Sequence, residues 1–319
     1  MSNVATAGPR LVSAPLEEVI RHSSEGVDFA ISGELSCHYD PASAVLWGVS
    51  TPRGIPCFSL DLLRDMERGS LIVEGYFAGN ETSRPLRHIV IRSGVPGAFN
   101  VGGDLAHFLR LIEAQDRAGL TEYAQAAINV AYRNYIGHGI RGVTTVALLE
   151  GDALGGGFES ALSCDIVIAE EHVKAGLPEV LFNMFPGSGG LSFLARRVNP
   201  RVSDEIARTG RLYPVRELLE MGVIDRVVPT GAAQEAMLRL IRQREHQHEA
   251  HAAMNAVNRL LRPITLSELN DVARLWVDTA LRMDERGRKW MRRLRQQQAA
   301  NFGALTLVPT PASVALTES

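Results

Sequence analysis

Cysteine is scarce in this chain: Cys37, Cys57 and Cys164 are the only three, an odd number without close spacing. That pattern excludes a disulfide framework and reads as three small apolar side chains in a reducing compartment. Apolar runs long enough to span a bilayer are missing, and the opening MSNVATAGPRLVSAPLEE lacks the charged-then-apolar order of a secretory leader. A cytoplasmic location is therefore expected. Neither charge sign dominates: 33 Lys+Arg stand against 36 Asp+Glu, a net charge of −3, so no bulk electrostatic footprint for nucleic acid is visible. Internal repeats are not apparent either. Two phosphate-loop signatures are absent as well. There is no G-x-x-x-x-G-K-[ST], and Gly155-Gly156-Gly157 runs into Phe158-Glu159-Ser160 rather than completing G-x-G-x-x-G.

What remains is a chain of 319 residues, 45% hydrophobic and 22% charged, enough for one large domain with an appendage. Residues 1–33 lack periodicity and read as a loose N-terminal extension with one helical turn near 16–21. From residue 34 the text changes. LSCHY and AVLWGVS read as two strands joined by the turn residues Asp40-Pro41-Ala42-Ser43. Residues 58–69 carry apolar side chains at helical spacing. HIVIRS (88–93) is a strand, and a helical tract runs over 105–135. VTTVALLEG (143–151) and DIVIAE are further strands, with the helix FESALSC between them. LSFLARRV and SDEIARTG read as helices, the second stopped by glycine. Alternating strands and helices define an α/β class. Beyond residue 229 the pattern is helical only, and Leu266, Leu269, Ala273, Trp276, Ala280 and Met283 form one apolar stripe. Trp276 on that stripe suits the core or a subunit contact. Residues 301–319 read as a flexible tail.

The stretch GDALGGGFESALSCDIVIAEEHVKAGLPE (151–179) concentrates the chemistry. A carboxylate in the first helical turn would repel a pyrophosphate, which argues against a nucleotide loop. The alternative use of the turn is an oxyanion hole. Amides at a helix N-terminus have no intrahelical partner, and glycine lets a carbonyl approach them. One such donor is typically worth about 3 kcal/mol in the transition state. A second donor could come from FNVGGDL (99–105), which also fits an ordinary turn with Asp104 as a helix cap. Glu179 follows Pro178 at an ordered corner, and the short excursion from Glu159 lets the two carboxylates share a cavity. Carboxylates sharing a pocket push their proton affinities apart, as an acid and a base require. Two exposed glutamates are the plainer reading of spacing alone, and Glu170 and Glu171 suit exposed loop positions.

Two further features carry less. His246, His248 and His251 form a cluster without a third partner, more in keeping with a solvated helix face than with a metal site. Arg286, Arg288, Lys289, Arg292, Arg293 and Arg295 make a basic stretch that suits a solvated, oligomer-flanking face, or a docking surface for an acidic carrier protein or coenzyme A phosphates.

Taken together, FNVGGDL, ALGGGFESALSCDIVIAEE, GLPEV and FPGSGG resemble the crotonase superfamily of enoyl-CoA hydratases and isomerases over roughly residues 34–300. Within it, GGGFESALSCD, LPEVLFNMFPG and LWVDTAL look most like diffusible-signal-factor synthases, which make cis-2-unsaturated fatty acids. The resemblance implies a crotonase-like spiral of β-β-α repeats over 34–228, and a helical trimerisation region over 229–300 that assembles trimers or dimers of trimers. It implies oxyanion donors at Gly103 and Gly156, an acid/base pair in Glu159 and Glu179, and substrate contacts at Val101, Gly102, Leu154, Gly155, Ser188 and Trp276. Ser188 departs from the larger apolar residue that would better line an acyl pocket. No metal and no cofactor beyond the phosphopantetheine arm of the substrate is implied. The partners are an acyl carrier protein or coenzyme A thioester, with room for a regulatory protein and none for nucleic acid or a membrane span. The activity implied is dehydration of 3-hydroxyacyl carrier protein to a cis-2-enoyl thioester, followed by hydrolysis to the free acid. The alternatives are an enoyl-CoA hydratase or isomerase of acyl degradation, and a non-catalytic thioester-binding regulator.

Overall fold

The structure is a computed structural model that describes residues 19–78 and 85–302. Most of the helical turn expected at 16–21, and the tail from residue 303, lie outside those residues.

Strands β1 (Ile20–His22), β2 (Val27–Ala30), β3 (Leu35–Asp40) and β4 (Val45–Ser50) form an antiparallel meander. Within the loose extension expected over 1–33, residues 20–22 and 27–30 instead form strands. Its strands IRH and VDFA are too brief for a period to show, yet Phe29 is fully buried once β2 pairs with β3. Asp40 makes the expected turn, its carboxylate accepting from the Ala42 amide at 2.9 Å. Helix α1 (Leu60–Phe77) starts later and runs longer than the 58–69 expected. Ser59 caps it, while Phe58 is drawn into an isolated parallel bridge with Gly103.

The chain continues through β5 (His88–Ser93), β6 (Gly97–Asn100), α2 (Leu105–Glu113) and α3 (Arg117–Tyr135). The single helical tract expected over 105–135 is broken where the Asp116 carboxylate accepts from the Gly119 amide and caps α3. Then come β7 (Thr144–Leu149), β8 (Gly151–Leu154), α4 (Gly156–Leu162), β9 (Ile166–Glu170), β10 (Lys174–Gly176) and a 3-10 turn, Pro178–Phe182. Helices α5 (Gly190–Arg197) and α6 (Pro200–Thr209), strand β11 (Leu212–Pro214), α7 (Val215–Glu220) and β12 (Arg226–Val228) complete the core.

Two sheets result. The larger has eight strands in the order β1-β2-β3-β4-β5-β7-β9-β12, parallel from β4 onward; the smaller runs β11-β10-β8-β6. The pairs β5/β6, β7/β8 and β9/β10 each send their first strand to the large sheet and their second to the small one. Helical segments follow each pair. This is a β-β-α spiral, repeated in structure without a repeat in sequence. Every residue of β7 is buried, as a strand covered on both faces requires.

Among the described residues, the last four α-helices are α8 (Ala233–Arg244), α9 (His248–Leu261), α10 (Leu266–Leu281) and α11 (Glu285–Phe302). The predicted stripe on α10 is buried through Leu269, Ala273, Trp276 and Ala280, with α3 as its partner helix. Helix α11 folds back onto α2 and the 178–182 turn. Two sequence expectations fail on tertiary grounds. His248 is buried, with its ring 5.5 Å from that of His88, rather than on a solvated face. Glu170 is buried at the end of β9, where its carboxylate accepts from the Ala233 amide at the start of α8.

Candidate active site

The loop after β6, the turn from β8 into α4, the 178–182 turn and the 187–190 loop converge on one cavity. Each contribution is fixed by local bonding. The Asn100 side chain accepts from the Gly102 amide at 2.8 Å, the Gly102 carbonyl accepts from Phe58 at 2.8 Å, and Asp104 caps α2 through the amides of Ala106 and His107 at 3.0 Å. Gly103 is thereby held between two anchored neighbours. Gly156 opens α4, where its amide has no partner four residues back. A Cβ placed on Gly156 would lie 3.7 Å from the Gly103 nitrogen, and one on Gly102 would lie 3.5 Å from the Gly156 nitrogen. The two amide nitrogens thus border one small volume, which the Phe58 ring also approaches, its Cδ2 3.7 Å from the same Cβ position on Gly156.

Gly155 has no substitute at its position. Its φ of 53° is unfavourable for other residues, and a Cβ there would sit 2.7 Å from Oε1 of Glu179.

The two carboxylates line the same cavity in unlike surroundings. Glu159, in the first turn of α4, is 2% exposed, and its Oε1 accepts from the amides of Ser188 and Gly190, each at 2.8 Å. Burial pushes its pKa up to about 7, against the pull of those two amides. Glu179 is 8% exposed, and its Oε2 is buried without a hydrogen-bond partner among the described residues. Burial first, and the neighbouring Glu159 charge second, raise its pKa well above the ordinary carboxylate range. Burial thus raises both carboxyl groups, Glu159 to about 7 against the pull of two amide donors, and Glu179 well above its ordinary range with no donor at Oε2.

Of the other residues expected to touch substrate, Val101, Gly102, Gly155, Ser188 and Trp276 lie in the cavity wall. Trp276 joins the core as well, packed edge-on against Phe108 with ring centroids 5.1 Å apart. Leu154 is a correction. It ends β8, paired with Gly176, and is not part of the wall; only its carbonyl approaches Gly102. Phe58, Tyr123, Phe182, Leu294 and Gln298 are among the other residues of the lining. Phe58 was assigned to a helix face, and nothing in the polar run RQQQAAN marks Gln298. Its amide nevertheless donates to the Val101 carbonyl at 3.2 Å, bringing α11 over the cavity. The basic stretch is partly spent on fixing that helix: Arg292 pairs with Glu113 of α2 at 2.6 Å, and both Arg292 and Arg288 pair with Glu285.

Interleaved parallel turns feeding two sheets, capped by C-terminal helices, constitute the crotonase fold. Human mitochondrial delta3-delta2-enoyl-CoA isomerase matches it with a TM-score of 0.69 at 20% identity, covering 83% of this chain and 99% of that one. The family model for enoyl-CoA hydratase/isomerase matches residues 75–289, and the chain belongs to that family. It is 34% identical over 159 residues to the probable enoyl-CoA hydratase 2, mitochondrial, of Arabidopsis thaliana, covering 49% of this chain and 50% of the relative. It is likewise 30% identical over 159 residues to human mitochondrial methylglutaconyl-CoA hydratase, covering 50% of this chain and 44% of the relative. The chain spans about half the length of these curated relatives.

Proposed function

We propose that this protein adds water reversibly across the C2–C3 double bond of an acyl thioester, the hydratase branch of its family's chemistry. The hydratase names of its relatives favour this reading over the signal-synthase activity that the motifs first suggested. The observation that carries it is the inequality of the two carboxylates. Glu159 accepts two amide hydrogen bonds that oppose the effect of burial, whereas Oε2 of Glu179 has no such donor and its carboxyl group is raised well above the ordinary range.

In hydration, the thioester oxygen sits between the amides of Gly103 and Gly156. Glu159 takes a proton from a water whose oxygen bonds to C3. The C2–C3 π electrons move toward the carbonyl, giving an enolate whose oxygen charge the two amides stabilise. Glu179 then delivers its proton to C2 as the carbonyl re-forms. The pair ends with Glu159 protonated and Glu179 ionised, which is the starting state for dehydration. With Glu179 alone exchanging a proton between two carbons, the same frame serves isomerisation.

The exposed Met254, Leu260 and Leu261 of α9 support assembly through that helix, in keeping with the trimer implied by the resemblance. The test of function is incubation of the purified protein with crotonyl-CoA, followed through loss of enoyl absorbance and mass spectrometry of the product. A 3-hydroxyacyl thioester is expected; inertness toward enoyl thioesters on both coenzyme A and carrier protein overturns the reading. Release of a free cis-2-enoic acid from 3-hydroxyacyl carrier protein would instead establish the dehydratase/thioesterase activity.

A further inference from the structure

The two amides of the oxyanion hole are supported in different ways. A trans peptide is planar, with its C=O and N–H pointing in opposite directions, so a bond to the carbonyl aims the amide of the following residue. The Gly156 amide shares its peptide with the Gly155 carbonyl, which accepts from the Glu159 amide at 2.9 Å inside α4. A helix supplies that support by itself. The Gly103 amide shares its peptide with the Gly102 carbonyl, and Gly103 precedes Asp104, the cap of α2. No helical bond reaches it. The Gly102 carbonyl accepts instead from the Phe58 amide at 2.8 Å, in a segment that precedes β5.

That segment pairs with the loop only through the isolated parallel bridge of Phe58 with Gly103 and a bond of 2.8 Å from the Val101 amide to the Pro56 carbonyl. Two-stranded pairing is marginal by itself even at hairpin length. What fixes the segment is the Tyr123 hydroxyl, which donates to the Phe58 carbonyl at 2.6 Å. Tyr123 is 4% exposed, on the buried face of α3 with Leu120, Ala124 and Ala127, and its ring packs edge-on against Phe108 with centroids 4.6 Å apart. Burial raises its pKa well above the ordinary phenol range, so the hydroxyl stays a donor. It also lies against Gly103: a Cβ there would be 3.2 Å from the Tyr123 oxygen and 2.5 Å from the Phe108 ring.

The support does more than hold position. A carbonyl that accepts a hydrogen bond makes the N–H of its own peptide a stronger donor, by about 10–30% per bond. The bond from Phe58 therefore both aims and strengthens the Gly103 amide. Its effect grows with the charge on the oxygen that the amide faces, so it favours an enolate over a neutral thioester.

We propose that Tyr123 is a positioning residue for the oxyanion hole, its hydroxyl locking the Phe58 backbone so that the Phe58 amide orients the Gly102–Gly103 peptide toward the thioester oxygen. Tyr123 transfers no proton and acts through Phe58. One half of the hole is thus set by the helix that carries Glu159, and the other by a tyrosine from a different helix. This inference rests on the hydratase reading of the cavity, and its test separates the two.

The experiment compares the wild type, Tyr123→Phe and a matched control, Tyr39→Phe. Tyr39 is 2% exposed and its hydroxyl donates to the Pro85 carbonyl at 2.8 Å, outside the cavity wall. On crotonyl-CoA, Tyr123→Phe is expected to lower kcat by roughly 10-fold with KM unchanged, short of the 10²–10³-fold that follows outright loss of an oxyanion donor. Tyr39→Phe is expected to keep both constants. A second arm needs no turnover. Acetoacetyl-CoA is a 1,3-dicarbonyl thioester whose enolate absorbs in the near ultraviolet, and the pH at which the bound ligand ionises reports how well the hole holds charge. The wild type is expected to lower that pH below its value in solution, and Tyr123→Phe to raise it again by about one unit, the equivalent of tenfold. Binding of butyryl-CoA, whose carbonyl stays neutral, is expected to be equal in all three proteins by calorimetry. An unchanged kcat and ionisation pH in Tyr123→Phe overturns the proposal. So does an equal fall in Tyr39→Phe, an equal loss of butyryl-CoA binding, or failure of Tyr123→Phe to fold where Tyr39→Phe folds, since each marks a bond of the fold rather than of the site. If the wild type is inert toward crotonyl-CoA yet still lowers the ionisation pH, only the hydratase reading falls and the second arm decides. A wild type that leaves acetoacetyl-CoA ionising as it does in solution removes the hole and the role of Tyr123 with it.

Discussion

The Gly190 amide donates to Oε1 of Glu159 at 2.8 Å, and a Cβ on Gly190 would fall 2.9 Å from Cγ of the same glutamate. Helix α5 therefore begins hard against the proposed base. Glutamine at position 159 retains an oxygen acceptor for this amide and for that of Ser188. Glu159→Gln is expected to keep the fold and lower kcat by roughly 10²–10⁴-fold, the usual contribution of a positioned acid or base. Glu179→Gln is expected to do the same. Near-wild-type turnover in either variant, with circular dichroism unchanged, removes the paired-carboxylate mechanism.

The activity of the hydration reaction should be bell-shaped in pH. It rises as Glu159 loses its proton through a value of about 7, and falls at higher pH as Glu179 loses the proton it must deliver. In Glu159→Gln the lower limb should vanish from whatever activity remains. A kcat/KM profile with no lower limb near neutrality counts against Glu159 as base.

Stability should carry the same signature. The folded-state value of Glu159, about 7, lies above its ordinary value of 4.5. The folded chain therefore binds a proton that the unfolded chain releases. The associated stability is full below 4.5 and is lost as the pH rises through about 7. Glu159→Gln, which has no charge to bury, should gain on the wild type across this window, by up to about 3 kcal/mol at alkaline pH. Urea melts at acid and alkaline pH measure this; a constant difference between the two proteins contradicts it.

Gly155→Ala should fail in two ways. The backbone at φ 53° disfavours the new residue, at about 1–3 kcal/mol, and its methyl group would displace Oε1 of Glu179. A lowered Tm together with loss of turnover is expected. Full activity would mean that the carboxyl group need not stay where the structure holds it.

Away from the site, Arg259 of α9 makes two bonds of 2.7 Å to the Asp165 carboxylate, which also accepts from the Thr145 amide at 2.9 Å. Arg259→Ala leaves that largely buried charge without its cation and should cost about 3 kcal/mol, read by urea denaturation. Asp165→Asn combined with Arg259→Ala should cost less than the sum of the single changes.

The spiral core was legible because its strands are dense in β-branched residues and its turns carry Asp, Pro and Gly. Gly155, Gly156 and Glu159 could be read together because one turn of sequence holds them. Which glutamate keeps its proton could not be read. That depends on the Ser188 and Gly190 amides, 29 and 31 residues beyond Glu159, and on the lack of any such donor to Oε2 of Glu179. The misplacement of Phe58 has a similar origin: its helical spacing is real, but pairing with Gly103 outweighs it. His248 and Glu170 look solvated in sequence and are buried only because α8 and α9 pack back onto the large sheet. Leu154 was named from its neighbours, and the register of β8 with β10 sends it elsewhere.

The bond from Gln298 to the Val101 carbonyl joins positions 197 residues apart and roofs the cavity with the last described helix. During synthesis, the spiral can be complete while the catalytic chamber still stands open to solvent. A chain that stopped before this glutamine would keep both glutamates and both glycine amides but would lack the bond that ties the last described helix to the loop after β6.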